Sequence, residues 1–357
     1  MRDAIVLSGW TWESWNVPER IALALGHLGS RVLYCENPVS RFRKLGRSFD
    51  EMEGRIRGFT PRFLGHRLNQ LPLAPIWQAR MVVHQILEVS KAQGLHDPLF
   101  IYPHGDFMLP VAAEMKRRGY YLVHICMDYP EQGQDAHVAL SNVTLVIPQT
   151  AFHELHARFG EKVSWIPQSA GFFAAIESGN SHIPVPPDLD RVPRPRLGYL
   201  GPTAGRLNLL MLRELLEGNP DWHFVSFEPK PCLPLPNAHA LPWRGHTDLP
   251  GILAGLDIGF MPYDCSNHKN LHCVPLKVYD YFSVGLPVVS APILNLLDSS
   301  GEIYFGDTVD ELGRAVSSAL LEPFDSPKRT SRVEISHRHS IEKFAEALRR
   351  TLPMRGE

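Results

Sequence analysis

The sequence P-L-K-V-Y-D-Y-F-S-V-G-L-P-V-V-S, residues 275–290, describes a helix that is followed at once by a short strand. A proline suits the first turn of a helix and a glycine its C-terminal end, so we predict a helix over Pro275–Val284. The proline two residues after the glycine cannot continue a helix, and the β-branched pair that follows it favours a strand. Lys277 and Asp280 are three residues apart and therefore share one helix face. A cation and a carboxylate on one face are suited to binding a phosphate and a sugar hydroxyl.

Short apolar segments alternate with helical patterns along most of the chain, which predicts an α/β protein with parallel sheets. In the first half the predicted strands are Ala4–Ser8, Arg31–Glu36, Leu99–Pro103, Tyr121–Cys126, Leu145–Pro148 and Val163–Pro167. The predicted helices of that half are Val17–Leu28, Ile76–Ala92 and Thr150–Phe159. In the second half the predicted strands are Arg196–Leu200, His223–Glu228, Asp257–Tyr263, Val288–Ala291 and Ile303–Phe305. Its predicted helices are Leu207–Glu217, Leu249–Ala254, Pro275–Val284 and Val309–Leu321.

The chain has 357 residues, more than one hydrophobic core usually serves, so we expect two domains. The proline-rich segment 178–196 separates the two α/β series and is predicted to be a linker without helix or strand. The expected domains are therefore 1–177 and 197–339, followed by an amphipathic terminal helix within 340–357. Two Rossmann-like domains would place ligands outside the carboxyl ends of their strands.

The composition describes an ordinary globular protein, with 44% hydrophobic and 21% charged residues. A formal net charge of -2 gives no electrostatic footprint of nucleic-acid binding. No apolar run is long enough to cross a bilayer. Five cysteines in a chain of this length do not make a disulfide framework and fit a reducing compartment, so we expect a cytoplasmic protein.

A glycine-rich turn follows the first predicted strand of the second half and leads into a helix that begins near Asn208. Glycines such as Gly201 let the backbone approach a pyrophosphate, and a helix N-terminus adds N–H groups and partial positive charge. Thr203 lies in the same turn, and the guanidinium of Arg206 suits phosphate oxygens. Taken alone, this pattern is equally compatible with a tight structural turn.

Aromatic residues follow the first predicted strand of the first half. The loop there contains Gly9, Trp10, Trp12 and Trp15. The tryptophan rings are suited to stacking on sugar rings or a lipid-linked acceptor, and equally suited to packing beneath the loop.

Titratable residues follow two other predicted strands of the first half. His104 and Asp106 come after the strand that ends at Pro103, and Asp128 and Glu131 come after the strand that ends at Cys126. Such groups point towards a ligand at the carboxyl ends of the strands and suit acid–base catalysis, although loop-capping carboxylates occupy the same places.

Two further patterns offer alternatives. Cysteines and histidines cluster at Cys265, His268, His272 and Cys273, but the second half of a usual zinc motif is missing, so a loop over the ligand site is the preferred interpretation. A basic stretch with interleaved phenylalanines runs from Arg41 to Arg67 and is suited to a membrane surface or a diphosphate-bearing acceptor. Its acidic residues favour a solvated helical face instead.

Residues 275–289 closely resemble the nucleotide-sugar signature of GT-B glycosyltransferases of the family 4 type, P-L-K-x-x-E-Y-x-A-x-G-x-P-V-V. The resemblance implies a GT-B fold, in which two Rossmann-like domains face each other across a cleft and the last helix crosses back to the first domain. It implies that donor binding involves Gly201, Thr203, Arg206, His272, Pro275, Leu276, Lys277 and Asp280. It also implies that the loop at Arg244 and Gly245 backs the nucleotide base.

The resemblance implies a metal-independent transfer of a sugar from a nucleotide donor to a saccharide, lipid-linked or other hydroxyl acceptor, without a cofactor. The acceptor side would include Gly9, Trp10 and Trp12, with Asp128 and then His104 as candidate bases for an inverting reaction. Family 4 enzymes favour retention. Asp280 and His272 stand where the family usually has glutamates, which leaves open a non-catalytic binding or scaffold protein. A sugar-nucleotide epimerase of the same shape also stays open.

The last segment, from Ser340 onward, places Ile341, Phe344, Ala345 and Leu348 on one helical stripe. Such a stripe needs an apolar surface to pack against. We therefore expect the chain to pass between the domains twice, once through the linker and once before this helix.

Overall fold

The computed structural model describes residues 2–12, 16–40, 51–64, 74–129, 133–169, 183–245, 248–299 and 301–353. The chain divides into two compact units. Unit 1 comprises Met1–Pro167 and Ile341–Glu357, and unit 2 comprises Gln168–Ser340. The chain therefore passes from unit 1 to unit 2 and back again.

Unit 1 is built on parallel strands with helices between them. Its strands are β1 (Ala4–Leu7), β2 (Val32–Cys35), β3 (Val39–Ser40), β4 (Glu51–Glu53), β5 (Ile56–Phe59), β6 (Arg62–Phe63), β7 (Leu99–Pro103), β8 (Leu122–Cys126), β9 (Val143–Val146) and β10 (Val163–Trp165). The first helices are α1 (Val17–His27), α2 (Ala74–Ala92), α3 (Met108–Arg117), α4 (Gln134–Leu140) and α5 (Gln149–Phe159).

The main sheet of unit 1 has the order β10-β9-β8-β7-β1-β2-β5-β4, and β3 pairs separately with β6. All neighbours in the main sheet are parallel except β4 and β5. The central strands are buried along their whole length and consist mainly of apolar residues, with His124 in β8 as an exception, as expected where helices cover both faces. The strand order reverses between β1 and β7, so the loops after these two strands form the topological switch point where such folds bind ligands.

Unit 2 has a second parallel sheet. Its strands are β11 (Arg196–Tyr199), β12 (His223–Phe227), β13 (Ala238–Leu241), β14 (Ile258–Met261), β15 (Val288–Ser290) and β16 (Ile303–Phe305). Its helices are α6 (Pro187–Asp190), α7 (Leu209–Gly218), α8 (Leu249–Gly255), α9 (His268–Leu271), α10 (Leu276–Ser283), α11 (Val309–Leu320) and α12 (Pro327–Arg338). The order is β13-β12-β11-β14-β15-β16, so the switch point of this unit lies between β11 and β14.

The segment that the sequence predicts as a linker carries structure. Within it, α6 packs on α8, and Leu189 is fully buried in the core of unit 2. Gly255 makes this possible, since a Cβ there would lie 2.6 Å from Leu189 and 2.7 Å from Val185. The prediction of a structureless linker is therefore wrong for residues 183–196, because the glycines of α8 admit a packed segment.

The terminal helix α13 (Ile341–Thr351) belongs to unit 1 and packs on α1. Its buried residues are Phe344, Ala345 and Leu348, three members of the apolar stripe. Apolar burial of this kind, and not local helix propensity, holds a short terminal helix in place.

Candidate functional site

The helix α10 begins and ends almost where its sequence indicates. Pro275 is its N-cap, Leu276 is its first residue, and Gly285 follows its C-cap with φ +68°. The left-handed conformation of Gly285 stops the helix. Tyr281, on the buried face, accepts a hydrogen bond from the Leu200 N–H at 3.0 Å and donates one to the Gly198 carbonyl at 3.0 Å. These bonds fix α10 against the end of β11, beside the switch point.

Lys277 projects from α10 to the glycine-rich loop after β11. Its Nζ lies 3.9 Å from the ring centroid of Tyr199 and donates to the Tyr263 hydroxyl at 3.0 Å. Gly201 has φ +118°, and a Cβ there would lie 3.3 Å from Nζ, so the absence of a side chain leaves room for the ammonium. Among the residues that the structure describes, no carboxylate lies within 4.0 Å of this ammonium.

The surroundings of Lys277 disfavour its charge. Burial lowers its pKa to about 7, and the charge of Arg206 acts in the same direction, whereas Cys273 and Asp280 oppose the shift. Burial also raises the pKa of Tyr263, so this hydroxyl stays neutral and offers no compensating charge. A group that brings negative charge to Gly201 would therefore stabilise the ammonium.

The glycine-rich loop is held by a network of hydrogen bonds. The carbonyl of Thr203 accepts from the N–H groups of Arg206 and Leu207 at 3.2 and 3.1 Å. The Thr203 hydroxyl donates to Glu228 Oε2 at 2.9 Å. Asn208 caps α7, accepting from the Met211 N–H at 3.1 Å. The glycine-rich loop thus leads directly into a ten-residue helix whose N-terminus is capped.

The other donor-side candidates occupy the same unit. Asp280 is buried on α10, with 5% of its surface exposed. The ring centroids of His272 and His268 lie 4.4 Å apart with the rings tilted by 41°, and the His272 carbonyl accepts from Asn295 Nδ2 at 2.7 Å. Arg244 forms an ion pair with Asp188 at 2.5 Å, so its guanidinium already serves the packing of α6. Gly245 accepts a backbone hydrogen bond from the Asp248 N–H at 3.1 Å.

Asn270 is a structural residue of this site that sequence reasoning does not identify. Its buried side chain accepts a hydrogen bond from Arg206 and donates to three carbonyl oxygens around it. No motif marks this residue, because an asparagine between histidines in a polar loop is expected to be exposed to solvent.

In unit 1, Gly9 and His104 lie at the switch point. Gly9 has φ +79°, and a Cβ there would lie 3.2 Å from Met108 at the start of α3. Trp10 is 42% exposed. Trp12 is buried and meets Tyr34 edge-to-face at 4.9 Å, so the packing alternative holds for this residue. Trp15 lies outside the described residues.

His104 belongs to a row of histidines that the sequence does not reveal. Ring centroids lie 4.7 Å apart for His104 and His137 and 5.0 Å apart for His137 and His124. His124 Nδ1 donates to the Tyr102 carbonyl at 3.3 Å, so its Nε2 accepts from Gln134 at 2.7 Å. Burial lowers the pKa of His137 to about 4 and that of His124 well below its ordinary value. Both rings are therefore neutral near pH 7.

The remaining acid–base candidates follow neighbouring strands. Asp128 is half-buried after β8, and its carbonyl accepts from Cys126 Sγ at 3.2 Å. Asp106 is exposed after β7, and Glu131 lies outside the described residues. Because β7 and β8 pair directly, Asp128 and His104 follow adjacent strand ends.

The cysteine and histidine cluster lies on and around α9, at Cys265, His268, His272 and Cys273. Cys273 is buried and its Sγ donates to the Asn270 carbonyl at 3.1 Å. Within the described ranges, no group of three or more histidine, cysteine or acidic residues is arranged to hold a metal ion.

The basic stretch is only partly described. Phe59 and Phe63 pack in the core of unit 1, whereas residues 41–50 and 65–73 lie outside the described ranges. No helix in the described part of the chain has the length and apolar character needed to span a membrane.

No family model matches the chain. One segment of 105 residues is 32% identical to a Bacillus subtilis (strain 168) protein assigned as the teichuronic acid biosynthesis glycosyltransferase TuaH. It covers 26% of this chain and 25% of that relative, so the similarity spans about a quarter of the relative's length.

Solved structures resemble the chain over nearly its whole length. The α,α-trehalose 6-phosphate synthase of Burkholderia multivorans has a TM-score of 0.67 and 12% identity, with 98% of each chain covered. An E. coli trehalose-6-phosphate structure, bound with UDP-2-fluoro glucose, has a TM-score of 0.65 and 12% identity, with 99% of this chain and 100% of that chain covered. The predicted fold class is thereby confirmed: the chain is an α/β protein with parallel sheets and has the fold of these GT-B structures.

Proposed function

We propose that this protein is a glycosyltransferase that moves a sugar from a nucleotide donor to a hydroxyl acceptor. The observation that carries the proposal is the Lys277 ammonium, held beside Gly201 at the switch point of unit 2 without a carboxylate within 4.0 Å in the described part of the chain. A donor diphosphate would supply the missing charge. The similarity of one segment to TuaH and the UDP-sugar bound in a structural neighbour support this choice.

In the proposed reaction, an acceptor oxygen forms a bond to the anomeric carbon while the bond from that carbon to the diphosphate breaks. The acceptor hydroxyl loses its proton, and the diphosphate leaves with an added negative charge. Lys277, Arg206 and the N-terminus of α7 would stabilise this charge without a metal ion. Asp280 would accept hydrogen bonds from the ribose hydroxyls.

The acceptor is proposed to bind unit 1 at the loops after β1, β7 and β8. Trp10 offers an exposed ring for stacking on a sugar. The family resemblance favours retention of the anomeric configuration. In an inverting reaction Asp128 would be the base, with His104 as the second candidate.

The acceptor class and cellular setting are part of the same proposal. A saccharide or lipid-linked acceptor suits an enzyme of surface polysaccharide or glycoconjugate synthesis. All five cysteines are free thiols, as expected in a reducing compartment, which supports a cytoplasmic enzyme. Peripheral contact with the inner face of a membrane would bring such an enzyme to a lipid-linked acceptor.

Incubation of the protein with UDP-, GDP- and dTDP-sugars and candidate acceptors tests the proposal. Free nucleoside diphosphate together with a glycosylated acceptor is the expected result. Donor binding without turnover would instead identify a binding or scaffold protein, the possibility raised by His272 and Asp280. An altered nucleotide-sugar without free nucleotide would identify an epimerase. If no donor binds at millimolar concentration, the proposal is wrong.

The activity should fall as the pH rises through about 7. The pKa of Lys277 is lowered to about 7, so the ammonium is charged below this pH and becomes neutral above it. Because a neutral amine binds diphosphate poorly, kcat/KM for the donor should decline on the alkaline side. Lys277→Arg is the matched control, since a guanidinium keeps its charge and should remove this decline. A profile that is the same for both proteins would contradict the role of Lys277.

A further inference from the structure

Asn270 sits behind the glycine-rich loop with every polar side-chain atom engaged. Its Oδ1 accepts from Arg206 Nη1 at 3.1 Å. Its Nδ2 donates to the carbonyl oxygens of Gly205, Arg206 and Asp264 at 3.1, 3.2 and 3.0 Å. Only 1% of its surface is exposed. An exposed loop asparagine would not be bonded in this way, so the side chain is part of the local architecture.

These bonds lie where two loops of unit 2 meet. The Asp264 N–H donates to the Arg206 carbonyl at 2.8 Å, and the Asn208 N–H donates to the Pro262 carbonyl at 2.9 Å. The loop after β11 is thereby joined to the loop after β14 across the switch point. An amide side chain is well suited to this place, because it offers donors to the carbonyls and an acceptor to the guanidinium at once.

We infer that Asn270 is a positioning residue for donor binding, which sets the direction of the Arg206 guanidinium and the path of the loop around Gly205. This inference rests on the proposed function, in which Arg206 binds the diphosphate. Asn270 itself touches no substrate in this scheme. It acts by holding a cation and the adjacent N–H groups in one geometry before the donor arrives, which lowers the cost of binding.

The place of Asn270 in the chain extends the role to the segment before α10. Two residues after Asn270 comes His272, which the family resemblance includes among the donor-binding residues. The Asn270 carbonyl accepts from Cys273 Sγ at 3.1 Å, which ties the same residue to this segment. Loss of Asn270 should therefore disturb the Arg206 loop and the His272 segment together.

The expected result for Asn270→Ala is a rise of about 10- to 100-fold in the donor KM, with the acceptor KM unchanged. Asn270→Asp keeps the acceptor for Arg206 but replaces the donors with a charge that faces three carbonyls, so it should not rescue binding. Combined with Arg206→Ala, the Asn270→Ala effect should be much less than additive, because both changes remove the same oriented guanidinium.

Asn267→Ala provides the matched control. Asn267 caps the same short helix α9 by accepting from the Lys269 N–H at 3.0 Å, but it is exposed, and the hydrogen bonds it makes within the described residues do not reach the loop around Arg206. It should leave the donor KM within about twofold of the wild type. An equal effect from Asn267→Ala would overturn the inference, since it would reduce the role of Asn270 to keeping α9 folded.

Hydrogen exchange of the ligand-free protein separates this inference from the proposed function. In Asn270→Ala the amides of Arg206, Leu207 and Asp264, all hydrogen-bonded within the joined loops, should exchange faster than in the wild type. Faster exchange in a protein that binds no nucleotide-sugar would mean that the proposed function has failed. Unchanged exchange and an unchanged donor KM in Asn270→Ala, with wild-type turnover intact, would overturn the positioning role alone.

Discussion

Lys277→Ala should lower kcat of sugar transfer by about 100- to 1000-fold, the usual effect of removing one preorganised group that stabilises a developing charge. The ammonium lies 3.9 Å from the Tyr199 ring centroid and 3.0 Å from the Tyr263 hydroxyl, beside Gly201, so the alanine variant removes a positive charge from this position. Stability should change little or increase slightly, because burial disfavours the charge in the ligand-free protein.

The measurement is steady-state kinetics with varied donor, together with thermal unfolding of the same samples. Lys269→Ala is the control: this lysine lies on α9 and is exposed, so its loss should alter neither quantity. A folded Lys277→Ala protein with the kcat of the wild type would show that the diphosphate is stabilised elsewhere.

Arg332→Met should lower the free energy of unfolding by about 3–5 kcal/mol, because it leaves a buried carboxylate without its partner. Arg332 and Glu322 form a two-pronged ion pair, with Nη1–Oε1 at 2.6 Å and Nη2–Oε2 at 2.7 Å. The two side chains are 0% and 4% exposed. The guanidinium also donates to the carbonyls of Glu302 and Gly285 at 2.8 and 3.3 Å, and so links α12 to the end of α10.

The change in the free energy of unfolding is measured by denaturant unfolding of the full-length protein, in the transition of unit 2. The double variant Arg332→Met with Glu322→Leu should recover much of the loss, since it removes both charges together. The exposed pair of Lys343 and Glu346 on α13 gives a contrast, because Lys343→Ala should hardly matter. An Arg332→Met protein as stable as the wild type would mean that solvent reaches this pair.

The same pair predicts the direction of acid sensitivity. Burial alone would raise the pKa of Glu322, but the hydrogen bonds from Arg332 and Tyr304 outweigh it and the pKa is lowered. A lowered folded-state pKa means that this stabilisation is present above the pKa of the unfolded chain. It is lost as the pH falls through the folded-state value.

Much of the fold could be predicted because its signals are local. The predicted strands and helices match observed elements, with ends that differ by at most two residues. Pro275 and Gly285 define α10 through their own backbone preferences, and Asn208 caps α7 through its own side chain. Helix α3 was missed although Val111, Ala112 and Met115 have the helical spacing that would have revealed it.

Other elements are fixed by partners far along the chain. Helix α12 is polar along its length, and its buried Arg332 finds Glu322 and the Glu302 carbonyl only in the folded molecule. The sequence therefore offers no apolar stripe to predict it. Helix α4 is short and carries His137. The His137 ring lies beside that of His104 only because the fold brings α4, which follows β8, next to the loop after β7.

For the candidate site, the sequence by itself determined the residues whose chemistry is carried by a continuous motif: Lys277 and Asp280 on one helix, and Gly201 and Arg206 in one turn. Backbone preference and helical spacing are enough to place these. Only the tertiary structure decided that Lys277 has aromatic neighbours and no carboxylate within 4.0 Å among the described residues, that Trp12 is buried while Trp10 is exposed, and that Asn270 joins two loops. Each of these facts depends on burial, and burial arises from contacts between segments that are distant in the chain.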